Sequence, residues 1–211
     1  MSTQPLEGSQ QNARQLNDTV HKVADNIRQC KSALIAFSGG VDSSVVAALA
    51  KQVLGDEAVA ATINHCALRY DEIEHAASMA KAIGIRHLSV NVDLLRLPEV
   101  KDNTPDRCYH CKTLTFSALR KLADSLQLNA VLDGSNASDL NVYRPGLKAA
   151  DEMHVVSPLR DVTKEEVRSL ARLLGLSNAD KPSAACLLTS LPYGTTVTEK
   201  RIERLRRLNA R

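Results

Sequence analysis

The 211-residue sequence has no tryptophan, and aromatic residues make up only 3% of it. That scarcity speaks against a surface on which nucleobases stack. No apolar run approaches the roughly 18 residues that a membrane span needs. The polar stretch from Met1 to Asn17 lacks the apolar core of a signal peptide. The expectation is a soluble cytoplasmic protein with no membrane partner. A broad excess of one charge is missing too. Lys and Arg total 27 against 24 Asp and Glu, and the surplus is local, with six basic residues against two acidic ones from Glu199 to Arg211. The main body is close to neutral, so nucleic acid is not the expected partner. The five cysteines are odd in number and the chain is not small, which argues against a disulfide framework.

Apolar residues at 44% and charged residues at 24% are ordinary for a globular protein with a sizeable core. Apolar spacing predicts a helix from Leu16 to Ile27. Ser32–Phe37 reads as a strand covered on both faces, and Val45–Leu54 as the helix after it. The alternation continues with strands at Ala58–Ile63, His87–Val92, Ala130–Leu132 and His154–Val156. Helices are expected at Asp71–Ile83, Lys112–Leu126, Leu147–Glu152 and Thr163–Leu174, the last opened by a capping box. Leu94–Arg107 reads as loop, and Thr198 opens a basic helix. Strands alternating with helices predict an α/β fold, an open parallel sheet with helices on both faces. Three segments are expected: a loose amino-terminal stretch over 1–15, a main domain over 16–178, and a region from 179 to 211 that begins a further, incomplete unit.

Between the first strand and its helix lies Ser38-Gly39-Gly40-Val41-Asp42-Ser43-Ser44. Paired glycines let backbone N–H groups approach a phosphate closely, and the helix amino terminus adds partial positive charge. Ser38, Ser43 and Ser44 supply hydroxyls, and Asp42 can hold Mg²⁺. The run is neither a Walker A loop nor a dinucleotide fingerprint. It resembles the PP-loop of the ATP pyrophosphatases, which cleave ATP to AMP and pyrophosphate while activating an oxygen of the substrate as an adenylate. By that resemblance the fold is the adenine nucleotide α-hydrolase type, with ligands at the carboxyl ends of the strands.

Cys108-Tyr109-His110-Cys111 opens a helix, and Cys186 lies far along in an irregular segment. Three thiolates can hold three irons of a [4Fe-4S] cluster and leave the fourth open. They can also bind Zn²⁺ with His110 or His154, or be plain thiols. Spacing alone does not choose among these. The runs Asp102–Lys112, Leu132–Asn136, Tyr143–Ala149, Lys181–Leu187 and Pro192–Thr196 together resemble the LarE family, the ATP-dependent sulfur transferases of nickel-pincer nucleotide synthesis. The likeness extends from Ser32 to Thr198.

The resemblance implies a small nucleotide substrate, pyridinium-3,5-biscarboxylic acid mononucleotide, whose carboxylates are adenylated with ATP and Mg²⁺ and then converted to thiocarboxylates. With Cys108, Cys111 and Cys186 all present, it implies the cluster-bearing version fed by a sulfide donor. The version that sacrifices one cysteine, here Cys186, is the variant reading. A homo-oligomer is also implied. Asp133, Asn136, Arg144 and Lys148 are the expected substrate-binding residues, and Cys30 and Cys66 are expected to be structural. The sequence departs from the family at Thr189 and Ser190, where members carry Ser-Arg. Competing readings are a cluster-bearing tRNA thiolase, an ammonia-using synthetase that needs no thiols, and a non-catalytic nucleotide-binding module with structural zinc.

Overall fold

Residues 32–37 carry an uninterrupted uncharged run, and Ala33–Ala36 (β1) form the inner strand of the sheet. The computed structural model describes residues 4–139 and 145–209, with side chains from residue 14 onward. Ala58–Asn64 (β2), Arg86–Asn91 (β3) and Ala130–Leu132 (β4) complete a sheet of order β3-β2-β1-β4. All its pairings are parallel. Around it pack α1 (Gln4–Arg28), α2 (Val41–Leu54), α3 (Glu72–Ile83), α4 (Pro98–Lys101), α5 (Arg107–Ser125), α6 (Pro145–Glu152), α7 (Lys164–Leu173) and α8 (Glu199–Leu208).

The alternation of side chains along each strand sorts the core into two faces. Ala33, Ile35, Ala58, Ala60 and Leu132 pack with α1, α2, α3 and α7. Leu34, Val59, Ala61 and Val131 turn the other way, against Phe116, Leu119 and Ala123 of α5 and Ala150 of α6. The open α/β architecture expected from the alternation is therefore the one observed. Helix α2 is buried almost all round, from Val41 through Ala50 except for Asp42, as a helix held between a sheet and three other helices must be. Leu34 and Ile35 are fully enclosed, and each such side chain stabilises the fold by about 1.5–3 kcal/mol.

A third, smaller apolar group lies beyond the strand ends. Ala67, Leu94, Val100, Leu188, Val197 and Ile202 form it, and Cys66 and Cys111 pack against it. It joins the segments after β2 and β3 to residues near the carboxyl end, so distant parts of the chain meet at this end of the sheet.

Several boundaries differ from the periodicity. The first helix begins at Gln4, ahead of Leu16, because Gln, Glu, Ala and Arg extend a helix without an apolar face. The stretch expected as loop before Arg107 contains α4, with Pro98 at its first position, where a missing N–H costs nothing. Helix α5 starts at Arg107 rather than Lys112, which puts both cysteines of the Cys-x-x-Cys pair in its first turns. The expected strand His154–Val156 is reduced to one parallel bridge, Leu132 to Val156. Pro158 follows closely and has no N–H for a ladder. The capping box is present as expected: the Thr163 side chain and the Glu166 N–H bond, and the Glu166 carboxylate returns to Thr163.

Among the described residues, no helix is long and apolar enough to cross a membrane.

Candidate functional site

The chain leaves β1 toward one edge of the sheet, through β2 and β3, and returns to the other side at β4. The strand order thus switches between β1 and β4, and ligands in open parallel sheets settle outside such a switch. Two loops emerge there, Ser38–Gly40 after β1 and Asp133–Asn136 after β4.

The first loop is tied by its own hydroxyls. Ser38 N donates to Ser43 Oγ at 3.2 Å, Gly40 N to Ser38 Oγ at 3.2 Å, and Ser43 Oγ to Gly40 O at 3.1 Å. Gly39 has φ +70°, which a side chain resists. Its carbonyl is held from two sides, by Asn178 Nδ2 at 2.9 Å and His75 Nε2 at 3.1 Å. Gly40, at the amino cap of α2, places no side chain over the first turn, and the donors of that turn suit an anion. Val41 is buried beneath the loop. Ser44 is enclosed as well, its Oγ accepting from Asn178 Nδ2 at 2.9 Å.

Asp42 stands between the two loops. Its Oδ1 accepts from Asn136 Nδ2 at 3.0 Å and its Oδ2 from Lys164 Nζ at 2.5 Å. Asp133 is buried and accepts from Ser135 N, Ser135 Oγ and Ser157 Oγ at 3.1, 2.6 and 2.7 Å. Its carboxylate thus shapes the second loop, while Asn136 carries that loop's contact to Asp42.

Four of the five cysteines, Cys66, Cys108, Cys111 and Cys186, gather at the same ends of the strands, and Cys30 precedes β1 at the opposite end. All five are free thiols. Cys108 is exposed and Cys111 half-buried on α5, and Cys186 is exposed just before a short 3-10 turn at Leu187–Ser190. A clamp brings the distant Cys186 segment to α5. Asn103, fully buried, donates from Nδ2 to Pro192 O at 2.7 Å and Leu191 O at 3.3 Å. Its carbonyl accepts from Gly194 N at 3.0 Å, and its Oδ1 accepts from Arg107 Nη1. The buried Arg107 guanidinium lies 5.5 Å from the Tyr193 ring centroid, a cation–π distance. Burial pushes the Cys111 thiol up to about 12, with the neighbouring Cys186, Cys108 and Cys66 adding to it against Lys112. Atoms crowding the inner side of Cys186 raise its thiol too, opposed in part by Arg107. Among the described residues, no three His, Cys, Asp or Glu side chains converge as ligands of one metal ion do.

The asparagine synthase family model matches residues 15–137. A pyridinium-3,5-bisthiocarboxylic acid mononucleotide synthase of Lactiplantibacillus plantarum is 38% identical over 179 residues, 83% of this chain and 65% of that protein. An uncharacterised protein of Synechocystis is 42% identical over 189 residues, 87% of this chain and 70% of that one. The chain belongs to the PP-loop family of ATP-using enzymes. Among solved structures, the NH3-dependent NAD synthetase of Campylobacter jejuni has a TM-score of 0.64 at 19% identity, covering 92% of this chain and 95% of that one. At that identity the likeness concerns the fold. The chain spans about two thirds of the length of the two relatives.

Within this PP-loop chain, the expected loop residues lie at the switch point, and Asn136 joins them through Asp42. Lys148 is exposed on α6, 5.3 Å from the Tyr109 ring centroid and 3.7 Å from Glu152, so it borders the turn that carries Cys108. Arg144 lies outside the described residues. Three residues not singled out in the sequence belong to the PP-loop surroundings: Lys164, Asn178 and His75. A capping box marks the helix that begins at Lys164, but nothing local marks its reach to Asp42, 122 residues away.

Gly134 faces the PP-loop backbone. A Cβ there would lie 2.9 Å from Ser43 N and 3.0 Å from the Asp42 carbonyl carbon. Neither atom can swing aside as a side-chain tip would. Gly134→Ala is expected to cost about 1–3 kcal/mol and to shrink the rise in melting temperature that ATP gives the wild type. Thermal unfolding with and without ATP checks this, and an ATP-induced rise equal to the wild type's would contradict it.

Proposed function

We propose that this chain is an ATP-dependent sulfur transferase. In this reading it adenylates the carboxylates of pyridinium-3,5-biscarboxylic acid mononucleotide and converts them to thiocarboxylates, as a step in nickel-pincer nucleotide synthesis. The supporting observation is the meeting of a PP-loop and four of the five thiols at one end of the sheet, in a chain 38% identical to the Lactiplantibacillus synthase. Residues 16–178 form the ATP-using domain, and 179–211 carry the third cysteine.

A carboxylate is a poor electrophile, and adenylation gives it a good leaving group. Ser38, Gly39, Gly40, Val41, Asp42, Ser43 and Ser44 form the nucleotide-binding loop, the donors of Ser38, Ser43 and the first turn of α2 facing phosphate oxygens. Asp42 is the residue suited to Mg²⁺, a hard ion that takes oxygen ligands. Lys164, already beside Asp42, is placed to balance charge that builds on pyrophosphate. Asn136 keeps the Asp42 carboxylate turned toward the loop. Arg144 and Lys148 bind the anionic groups of the substrate, with Asp133 holding the loop that bears Asn136.

Cys108, Cys111 and Cys186 are the residues that would hold a [4Fe-4S] cluster, thiolate being the donor such clusters take. The thiols are free, two of them lie a turn apart, and the clamp at Asn103 fixes the segment of the third. When bound, the cluster would supply sulfide that is ionised at neutral pH. The apolar bed of Ala67, Leu188 and Val197, on which Cys111 packs, keeps water from a reactive acyl-adenylate. A separate sulfide donor is required.

The test is anaerobic reconstitution with iron and sulfide, followed by assay with ATP and the biscarboxylate nucleotide. A thiocarboxylate product from wild type, and none after Cys186→Ala, is the expected result. Full thiocarboxylate formation by Cys186→Ala protein overturns the assignment of Cys186. Intact mass showing loss of one sulfur per chain replaces the cluster route with sacrifice of Cys186.

A further inference from the structure

The Gly39 carbonyl has two donors, and neither belongs to the PP-loop. Asn178 Nδ2 reaches it at 2.9 Å from the turn after α7, and His75 Nε2 at 3.1 Å from near the start of α3. A carbonyl only accepts, so His75 carries a proton on Nε2 and Asn178 turns its amino group to the loop. The second N–H of Asn178 goes to Ser44 Oγ, at 2.9 Å. Only 4% of Asn178 is exposed, and its Oδ1 is enclosed with no partner among the described residues. A buried acceptor without a donor lowers stability, so Asn178 is placed for the loop rather than for its own turn. The loop is also pressed against α3. A Cβ on Gly39 would lie 2.9 Å from Ala76 Cα and 3.1 Å from His75 Cδ2. Glycine, at φ +70°, lets the loop come near enough for His75 to bond it.

We infer that His75 and Asn178 are positioning residues for ATP cleavage: by holding the Gly39 carbonyl from behind, they aim the Gly40 N–H at the leaving pyrophosphate. In a trans peptide the C=O and the following N–H point in opposite directions, and this peptide is trans. With the carbonyl fixed on the side of α3 and the Asn178 turn, the Gly40 N–H faces the other side. It rests there on Ser38 Oγ at 3.2 Å, and Ser38 Oγ lies 3.1 Å from Ser43 Oγ. An N–H and two hydroxyls thus share one side of the loop, a set of donors for phosphate oxygens. A donor fixed before the reaction stabilises charge growing on the leaving group without reorganising. This rests on the reading that the loop binds the phosphates of ATP. Both side chains act through Gly39, and neither touches the nucleotide.

The test measures pyrophosphate release from ATP with Mg²⁺ and the biscarboxylate nucleotide. The variants are His75→Phe, which keeps a ring without the N–H, His75→Gln, which keeps a donor, Asn178→Ala, and His75→Phe with Asn178→Ala. Circular dichroism checks that each is folded. The kcat is expected to fall about tenfold in His75→Phe and in Asn178→Ala, and about 100-fold with both, the loss that follows removal of an oxyanion donor. The KM for ATP stays within about threefold, because the interaction is made in the transition state. His75→Gln recovers most of what His75→Phe loses. A kcat within about twofold of wild type in folded His75→Phe and Asn178→Ala overturns the inference and leaves the ATP reading standing. A raised KM with kcat kept also overturns it, since the two residues then serve binding alone. So does an equal loss in His75→Gln and His75→Phe, which assigns the effect to packing of the ring. If Asn178→Ala does not fold, the two His75 variants decide. A wild-type chain that releases no pyrophosphate removes the adenylating reading itself, and this inference with it.

Discussion

Asp42→Ala is expected to lower the release of pyrophosphate from ATP by about 100- to 1,000-fold, the range seen when a preorganised charge partner is deleted. Asp42 is where both loops of the switch point meet. Asn136 from the β4 loop and Lys164 from α7 both bond its carboxylate. Removing it takes away the carboxylate proposed above for Mg²⁺ and leaves the Lys164 ammonium beside alanine. Asp42→Asn keeps the shape and one acceptor, so it separates charge from packing, and the charge argument requires a loss nearly as large. The Asp42 and Lys164 side chains are 24% and 20% exposed, so neither variant should unfold the chain. Pyrophosphate release at saturating ATP and Mg²⁺ checks this. Turnover within a few fold of wild type would contradict it.

Asn103→Ala is expected to destabilise the fold by about 2–4 kcal/mol and to free the Cys186 segment. The alanine leaves the carbonyls of Leu191 and Pro192 without their shared donor and the buried Arg107 without its acceptor. It also sits at φ +54°, which asparagine tolerates and alanine resists. Asn103→Gly removes the backbone part of that cost, so what it still loses measures the side-chain bonds. The readouts are thermal unfolding and the alkylation rate of Cys186, which is expected to rise in both variants. An unchanged melting point with Cys186 reacting as in wild type would show that the clamp holds nothing.

Three of the four strands were legible because each is a short apolar run closed by a polar or glycine-rich stretch, whereas β3, at the sheet edge, alternates, with only Leu88 and Val90 apolar and half-buried. Helix α7 was legible from its capping box and apolar stripe. The Cys108–Cys111 run opens a helix as expected, but no apolar repeat reaches back to Arg107. Arg107 enters the helix through a tertiary partner, Asn103, and a ring, Tyr193. The expected strand His154–Val156 failed for a comparable reason. Its apolar residues were read correctly, but Ser157 turns its hydroxyl to Asp133 and Pro158 cannot extend a ladder. The phosphate loop could be read as a contiguous run. The residues that hold it come from α3, the start of α7 and the turn after α7: His75, Lys164 and Asn178. Asn178 lies 139 residues from Gly39, and no local pattern encodes that separation. Cys66 is the same case, unremarkable along the chain and packed on the apolar group that also seats Cys111.

The central claim is that the loop after β1 directs cleavage of ATP between its α and β phosphates. Phosphorus NMR of the purified chain with ATP, Mg²⁺ and the biscarboxylate nucleotide reads the bond directly. The account predicts AMP and pyrophosphate in equal amounts, and ADP with orthophosphate would contradict it.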